Sequence, residues 1–330
     1  LELRLGDTSD SEIDRKVAAN VPLGRPGRGL APSKHHMLTA LPRVDGSGDP
    51  DTLSEGVEDL IDRVNAAWKG PQGPKLRLLP EMLELSQLQQ LAAGTPLQNQ
   101  VLLGVDEAEL APTAFDTRRN PHLYLFGDSQ SGKSSFLRTF AREVMRTASP
   151  KDAQFFVVDY RRALLSEIPE DYLAGYYTTA QQATEELAGL TEYLRSRLPG
   201  PDVTPQQLRD RSWWTGAEVY VLVDDYDLVN TQSGNPIAAL QPLLAQATDV
   251  GLHLTLVRRS GGASRATFEP VMQTLRDLAS PGIMLSGSPD EGPLIGNVKA
   301  SPAVAGRAKV ITRERGLQIM QLAYAPPSQL

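Results

Sequence analysis

Apolar positions along this chain alternate between two periods. Short continuous apolar runs at residues 122–126, 154–159, 219–223, 252–257 and 283–285 have the length and β-rich make-up of buried strands. Stripes at helical spacing lie between them: Phe136, Leu137, Phe140, Val144 and Met145; then Ala183, Leu187, Leu190, Leu194 and Leu198; then Leu240, Leu243, Leu244 and Ala247; then Val271, Leu275 and Leu278. The second stripe stops at Pro199-Gly200-Pro201 and the third near Gly251, which are ordinary helix terminators. Strands alternating with helices predict an α/β fold, a mostly parallel sheet covered on both faces. Residues 309–312 and 317–322, joined across Arg313-Glu314-Arg315-Gly316, predict a hairpin that extends the sheet antiparallel.

The first quarter of the chain has a different texture. Gly46-Ser47-Gly48-Asp49-Pro50 reads as loop. Leu53, Val57, Leu60, Ile61 and Val64 then form a helical stripe that ends at Trp68-Lys69-Gly70-Pro71. Residues 76–80 and 101–105 read as strands around a short helix. An internal repeat is also present, at an offset of about 280 positions. Leu3-Arg4-Leu5-Gly6 answers Met284-Leu285-Ser286-Gly287, and Asp10-Ser11-Glu12-Ile13 answers Asp290-Glu291-Gly292 with Leu294. Further on, Pro26-Gly27-Arg28-Gly29 answers Ala305-Gly306-Arg307-Ala308, and residues 37–42 answer 319–323. Residues 1–45 therefore repeat the closing part of residues 46–330. They are either the tail of a preceding module or strands that pair into this one.

The loop after the first of these strands carries the chemistry. Residues 127–135, GDSQSGKSS, fit G-x-x-x-x-G-K-[ST] between a predicted strand and a predicted helix. Backbone N–H groups of Gly127, Asp128, Ser129, Gln130, Ser131, Gly132, Lys133, Ser134 and Ser135 are expected to wrap a polyphosphate, aided by the helix N-terminus. Lys133 would reach the β- and γ-phosphates, and the Ser134 hydroxyl would ligand Mg²⁺. The run 219–223 ends in Asp224-Asp225. Placed beside the P-loop strand, Asp224 would hold the metal, and Asp225 would polarise an attacking water. Glu is frequent at the second position in ring ATPases. An Asp is one methylene shorter, and a misplacement of about 1 Å can cost on the order of a hundredfold in rate. The sequence thus predicts ATP and Mg²⁺ binding with slow hydrolysis.

Other residues compete for roles. Asp159 also ends an apolar run and is a rival metal ligand, whereas Asp227 reads as a loop residue. Arg258-Arg259 ends the strand at 252–257; it is either an arginine finger or a salt-bridged pair at a strand end. Arg28 and Arg307, each after a glycine, are either interface residues or hairpin charges in water. Thr231-Gln232 is a candidate γ-phosphate contact. Trp213-Trp214 is a core anchor or an interface patch.

Composition narrows the classes. The 330 residues contain no cysteine, which excludes disulfides and thiolate metal sites. Adjacent His35-His36 lacks any metal-ligand spacing and reads as solvated surface. A net charge of −7 argues against sequence-independent nucleic-acid coating. No apolar run approaches the roughly 18 residues of a membrane span. With Leu first and no signal-peptide pattern, the chain reads as a soluble piece of something longer.

Several phrases outside the P-loop give the motifs a family. ELRLGDTSDSEIDR at 2–15, RPGRGL at 25–30, ALPRVDG at 40–46, LGVDEAELA at 103–111 and LRDLASPGIMLSG at 275–287 resemble the FtsK/SpoIIIE-type ATPase modules of type VII secretion, the EccC family. The resemblance spans nearly the whole chain. It implies a P-loop NTPase fold of the RecA/FtsK-like kind, ATP and Mg²⁺ as cofactors, and ATP-dependent protein export. It also implies cytoplasmic modules strung after a membrane-anchored part, within an inner-membrane secretion complex that includes upstream ATPase modules. The chain would be the last such module, docking small helical-hairpin substrates through a C-terminal signal and able to work in a homo-oligomeric ring. Terminal modules of the family are expected to turn ATP over slowly. Three readings follow: a motor module, a nucleotide-stabilised docking module with negligible hydrolysis, and a DNA translocase, which the acidic balance disfavours.

Overall fold

The computed structural model describes residues 1–3, 7–25, 27–71, 73 and 77–328, with the side chain of Asp10 excepted. The chain divides into two compact units, Leu1–Lys75 and Leu76–Leu330.

In the first unit, β1 (Glu2–Leu3), β2 (Arg28–Leu30) and β3 (His36–Leu38) form an antiparallel sheet in the order β1-β2-β3. A one-turn helix, α1 (Arg15–Ala19), is capped by Asp14, whose carboxylate accepts from the N–H groups of Lys16 and Val17. Ala18, Val21 and Leu30 are its small buried core. The predicted stripe forms α2 (Leu53–Ala67), which ends at Trp68. The repeat phrases at residues 4–6 and at Pro26 lie outside the described residues.

The second unit is built on ten strands. In chain order they are β4 (Val101–Asp106), β5 (Pro112–Phe115), β6 (His122–Phe126), β7 (Ala153–Val158), β8 (Leu173–Tyr177), β9 (Glu218–Val223), β10 (Leu252–Arg258) and β11 (Gly282–Met284), then a separate ribbon β12–β13 (Pro293–Ile295, Val298–Lys299), then β14 (Arg307–Thr312) and β15 (Gly316–Leu322). The sheet order is β5-β4-β15-β14-β11-β6-β10-β9-β7-β8. Strands β11 through β8 in that order are parallel, and β14, β15, β4 and β5 join antiparallel. The arrangement β11-β14-β15 has the same order and antiparallel sense as β1-β2-β3.

Both faces are buried, as a parallel sheet requires. Along β9, Val219, Val221 and Val223 enter one core, while Tyr220 and Leu222 enter the other. The first core is closed by the helix Ala180–Arg195 and by a helical segment at Pro236–Gln246, the second by the helix after the P-loop.

Three expectations change. Residues 77–80 are not a strand: the carbonyls of Leu79 and Pro80 accept from the Arg307 guanidinium instead of a ladder partner. The stripe around Leu240 is 3₁₀ over Pro236–Gln246 and turns α only at Ala247–Val250. Pro242 inside it supplies no N–H and blocks an α turn. Finally, β9 does not adjoin β6, because β10 lies between them.

A candidate nucleotide site at the carboxyl ends of the parallel strands

The P-loop connects β6 to the helix at Lys133–Thr147. Gly132 caps that helix at φ 110, a conformation open to glycine and strained for other residues. The loop is tied down from three sides. Gly127 N–H donates to the Arg258 carbonyl, Asp128 N–H to Ser286, and Gly306 N–H to Ser131. The Ser260 hydroxyl donates to the Asp128 carboxylate. Within the loop, Ser131 Oγ donates to the Asp128 carbonyl at 2.8 Å, and Lys133 Nζ donates to the same oxygen at 2.9 Å. Lys133 is buried, Ser134 and Ser135 are half-buried, and Ser129 and Gln130 are exposed at the rim.

Across the site, Ser134 Oγ donates to Asp224 Oδ2 at 2.6 Å. The pair forms although β10 separates the two strands. Asp224 is 1% exposed, and burial pushes its carboxyl up to about 6, partly offset by the Ser134 hydrogen bond and reinforced by Asp225 and Asp159. A hydroxyl beside a desolvated carboxylate is a hard-oxygen pair that suits Mg²⁺. Among the described residues no group of three or more His, Cys, Asp or Glu side chains forms a metal site. A cation here would take its remaining ligands from phosphate and water, which is how Mg²⁺ prefers to bind.

Asp225 stands next to it in a left-handed conformation, φ 44 and ψ 56, with its N–H on Asp224 Oδ1 at 2.9 Å. Its Oδ2 faces Arg161 Nε at 3.1 Å. Asp159 is engaged elsewhere: it accepts from the N–H groups of Arg161 and Leu164 and from the Tyr176 hydroxyl, fixing the turn after β7. Its carboxylate is thereby occupied as a loop anchor.

A cavity of 420 Å³ adjoins the loop. Gln130, Lys133 and Ser134 line one side, Met82 and Leu83 another, and Tyr324 closes it. Sequence reasoning did not find these walls. Their only signal was the Gly306-Arg307 pair. Gly306, at φ 75, reaches Ser131, while Arg307 holds Leu79, Pro80 and Gln321. Arg307 is thus half-buried and internally bonded, not a hairpin charge in water.

The remaining candidates resolve similarly. Arg258 is buried, its Nε on the Arg259 carbonyl, and burial lowers its pKa. Arg259 pairs with Asp227 at 2.8 Å. Both arginines are strand-end partners inside the unit. Asp227 lies in the short helix Tyr226–Val229, not in a loop, because that pairing and the Asp225 turn start a helix there. Thr231 exchanges backbone hydrogen bonds with Gly234 in a tight exposed turn that also holds Gln232. Trp213 and Trp214 are anchors: their indoles donate to the carbonyls of Arg197 and Asp249, and Arg197 stacks 4.2 Å over the Trp214 ring. His35, His36 and Arg28 are exposed.

Comparison with known proteins agrees with this geometry. The FtsK/SpoIIIE family model matches residues 84–204. The ESX secretion system protein EccC of Thermomonospora curvata is 44% identical over 98% of this chain, and EccC4 of the ESX-4 system of Mycobacterium tuberculosis is 42% identical over 99%. The chain spans about a quarter of each, 24% and 25% of their lengths. A solved structure of Thermomonospora curvata EccC, ATPases 2 and 3 with a signal sequence peptide, superposes with a TM-score of 0.78 at 43% identity, over 99% of this chain and 58% of that one. The chain belongs to the FtsK/SpoIIIE family and is similar, over nearly its whole length, to a segment of the EccC proteins of ESX secretion systems.

Proposed function

We propose that this chain is a Mg-ATP-binding module of a type VII secretion ATPase, one that binds substrate segments and turns ATP over slowly. The observation that carries the nucleotide part is the 2.6 Å contact between Ser134 and Asp224 beside a P-loop whose lysine is buried against it. Ser134 and Asp224 would hold Mg²⁺, which supplies charge neutralisation between phosphates. Lys133 and the loop N–H groups of residues 127–135 bind and orient the phosphates. Asp225 orients water. Met82, Leu83 and Tyr324 offer apolar surface for a purine base beyond the sugar.

Substrate docking rests on the relative solved with a signal sequence peptide. Among the described residues no helix is long and apolar enough to cross a membrane. Attachment to a membrane complex would therefore fall to upstream ATPase modules and partner subunits, with this module on the cytoplasmic side and open to ring assembly. The shared strand order of β1-β2-β3 and β11-β14-β15 supports residues 1–45 as the tail of a preceding module, with residues 46–330 as the present one. The docking-only reading draws on Asp225, which is short and paired with Arg161. The acidic net charge leaves the DNA-translocase reading without support.

The test is Mg-ATP binding by calorimetry and steady-state hydrolysis on one sample, with Lys133→Ala beside it. Tight binding that the variant loses supports the proposal. Equal weak binding in both refutes it. Binding without measurable hydrolysis selects the docking-only reading.

A further inference from the structure

Asp225 is held from both ends. Its backbone is fixed: a positive φ, its N–H on Asp224, and its carbonyl accepting from Leu228 N–H at 2.7 Å. A fixed left-handed residue aims its short side chain along one direction. In that direction stands the Arg161 guanidinium, 3.1 Å from Oδ2.

Arg161 is built differently. Its backbone is pinned, because its N–H donates to Asp159 Oδ1 at 3.1 Å, and Asp159 is locked in turn by Leu164 and Tyr176. Its side chain is 59% exposed. The backbone is fixed and the exposed side chain is free to leave. No structural need explains the pair, since an exposed arginine in a turn is soluble unpaired. Its other end sits on the carboxylate best placed to orient a water, because Asp224 is engaged with Ser134 and Asp159 with its turn.

We propose that Arg161 is a positioning residue that restrains Asp225, holding its carboxylate away from the attacking water until the guanidinium swings out. This rests on the nucleotide reading above. The guanidinium occupies lone pairs that the water would need. The chain alone would therefore be slow both because Asp is short and because the Asp is engaged. The group that draws Arg161 off would be an anion presented beside β7, such as a carboxylate on an adjoining protein surface or the terminal phosphate itself.

The test compares wild type with Arg161→Ala and Arg161→Lys, measuring Mg-ATP affinity and steady-state hydrolysis at low and high salt. The expected result is unchanged affinity and KM. Turnover should be about fivefold faster in Arg161→Ala, which corresponds to the ~1 kcal/mol an exposed ion pair can hold. Arg161→Lys should stay near wild type. The wild-type rate should climb toward that of Arg161→Ala as salt screens the pair, a response a merely structural residue would not give. An unchanged or lower rate in Arg161→Ala, or no hydrolysis in any form that binds ATP, overturns the restraint. Failure of all three to bind Mg-ATP instead overturns the nucleotide reading.

Discussion

Replacing Asp224 with Asn should stabilise the empty protein and cripple the loaded one. Asp224 is 1% exposed, and its carboxyl sits near pKa 6 against an ordinary value of 3.8, chiefly through desolvation. A raised folded-state value means the unfolded chain gives up this proton more readily than the folded one. Ionisation therefore favours unfolding: the stabilising contribution is full below pH 3.8 and is lost as pH rises through about 6. A displacement of that size corresponds to ~3 kcal/mol of cost at pH 7. Asn removes that charge and keeps the contacts, its oxygen accepting from Asp225 N–H and its amide donating to Ser134 Oγ. The ligand-free variant should thus be more stable than wild type by up to ~3 kcal/mol at pH 7 and equal to it near pH 4.

Mg-ATP should reverse the order. At a hundredfold excess over Kd, a bound ligand adds ~2.7 kcal/mol to the wild type, and a variant without the metal carboxylate forfeits most of it. Urea unfolding followed by the fluorescence of Trp213 and Trp214, in a Trp68→Phe background because Trp68 lies in the first unit, reads both effects. The difference between the two proteins is the quantity to use. Buried His122, held down to about 4 by desolvation, destabilises both as pH falls from 6.5 toward 4 and cancels in that difference. If Asp224→Asn weakens the empty protein at pH 7, the carboxylate is already satisfied by the protein, and the argument for an awaited cation fails.

Two further outcomes follow from the same site. Asp225→Glu adds the missing methylene and should raise steady-state turnover, by up to about a hundredfold, with Mg-ATP affinity unchanged in calorimetry. A slower enzyme would mean that Asp225 does not orient the water. Arg307→Ala strips a partner from the carbonyls of Leu79 and Pro80 and from Gln321. A cost of about 1–3 kcal/mol is expected, read as faster amide exchange across residues 79–83 and weaker nucleotide affinity, and unchanged exchange there would refute its role.

The parts legible in the sequence were those whose physics is local. A glycine loop between a strand and a helix is a chain-continuous device, so residues 127–135 could be placed without any knowledge of the rest. Buried parallel strands announce themselves as apolar runs, which located β6, β7, β9 and β10. Edge strands do not: β8, Leu-Ala-Gly-Tyr-Tyr, has one neighbour and a glycine, and its sequence resembles a turn as much as a strand. Strand order is likewise a property of the whole chain. Reading β9 as the neighbour of β6 was wrong, yet the inference drawn from it, that Asp224 approaches Ser134, still holds geometrically. Adjacency is not what the contact needs: β9 and β6 run in the same direction within one parallel sheet, so their carboxyl ends open on the same side, and the P-loop is bonded at Gly127 to Arg258 and Ser260 at the end of β10.

What no run or motif revealed is how distant segments close the site. The cavity wall at Met82 and Leu83 is irregular chain, and irregular chain stays put only if something else meets its backbone hydrogen bonds. Here Tyr324 does so directly, its N–H donating to the Leu83 carbonyl and its own carbonyl accepting from Leu85 N–H, while Arg307, more than 220 positions away, holds the carbonyls of Leu79 and Pro80 just before it. A guanidinium with several N–H donors can serve two carbonyls and a side-chain amide at once, which a lysine cannot do in fixed geometry. Gly306 contacts Ser131 through its backbone while Arg307 fastens Leu79 and Pro80, just before the wall at Met82 and Leu83, so one dipeptide ties together two segments beside the cavity. The same Gly-Arg dipeptide recurs at Gly27-Arg28, on the strand that corresponds to β14 in the smaller sheet. There Arg28 is exposed, and the Gly27 carbonyl accepts from the Thr39 N–H and hydroxyl of its own hairpin. Among the described residues, the dipeptide thus bonds to the P-loop at Gly306-Arg307 and within its own hairpin at Gly27-Arg28.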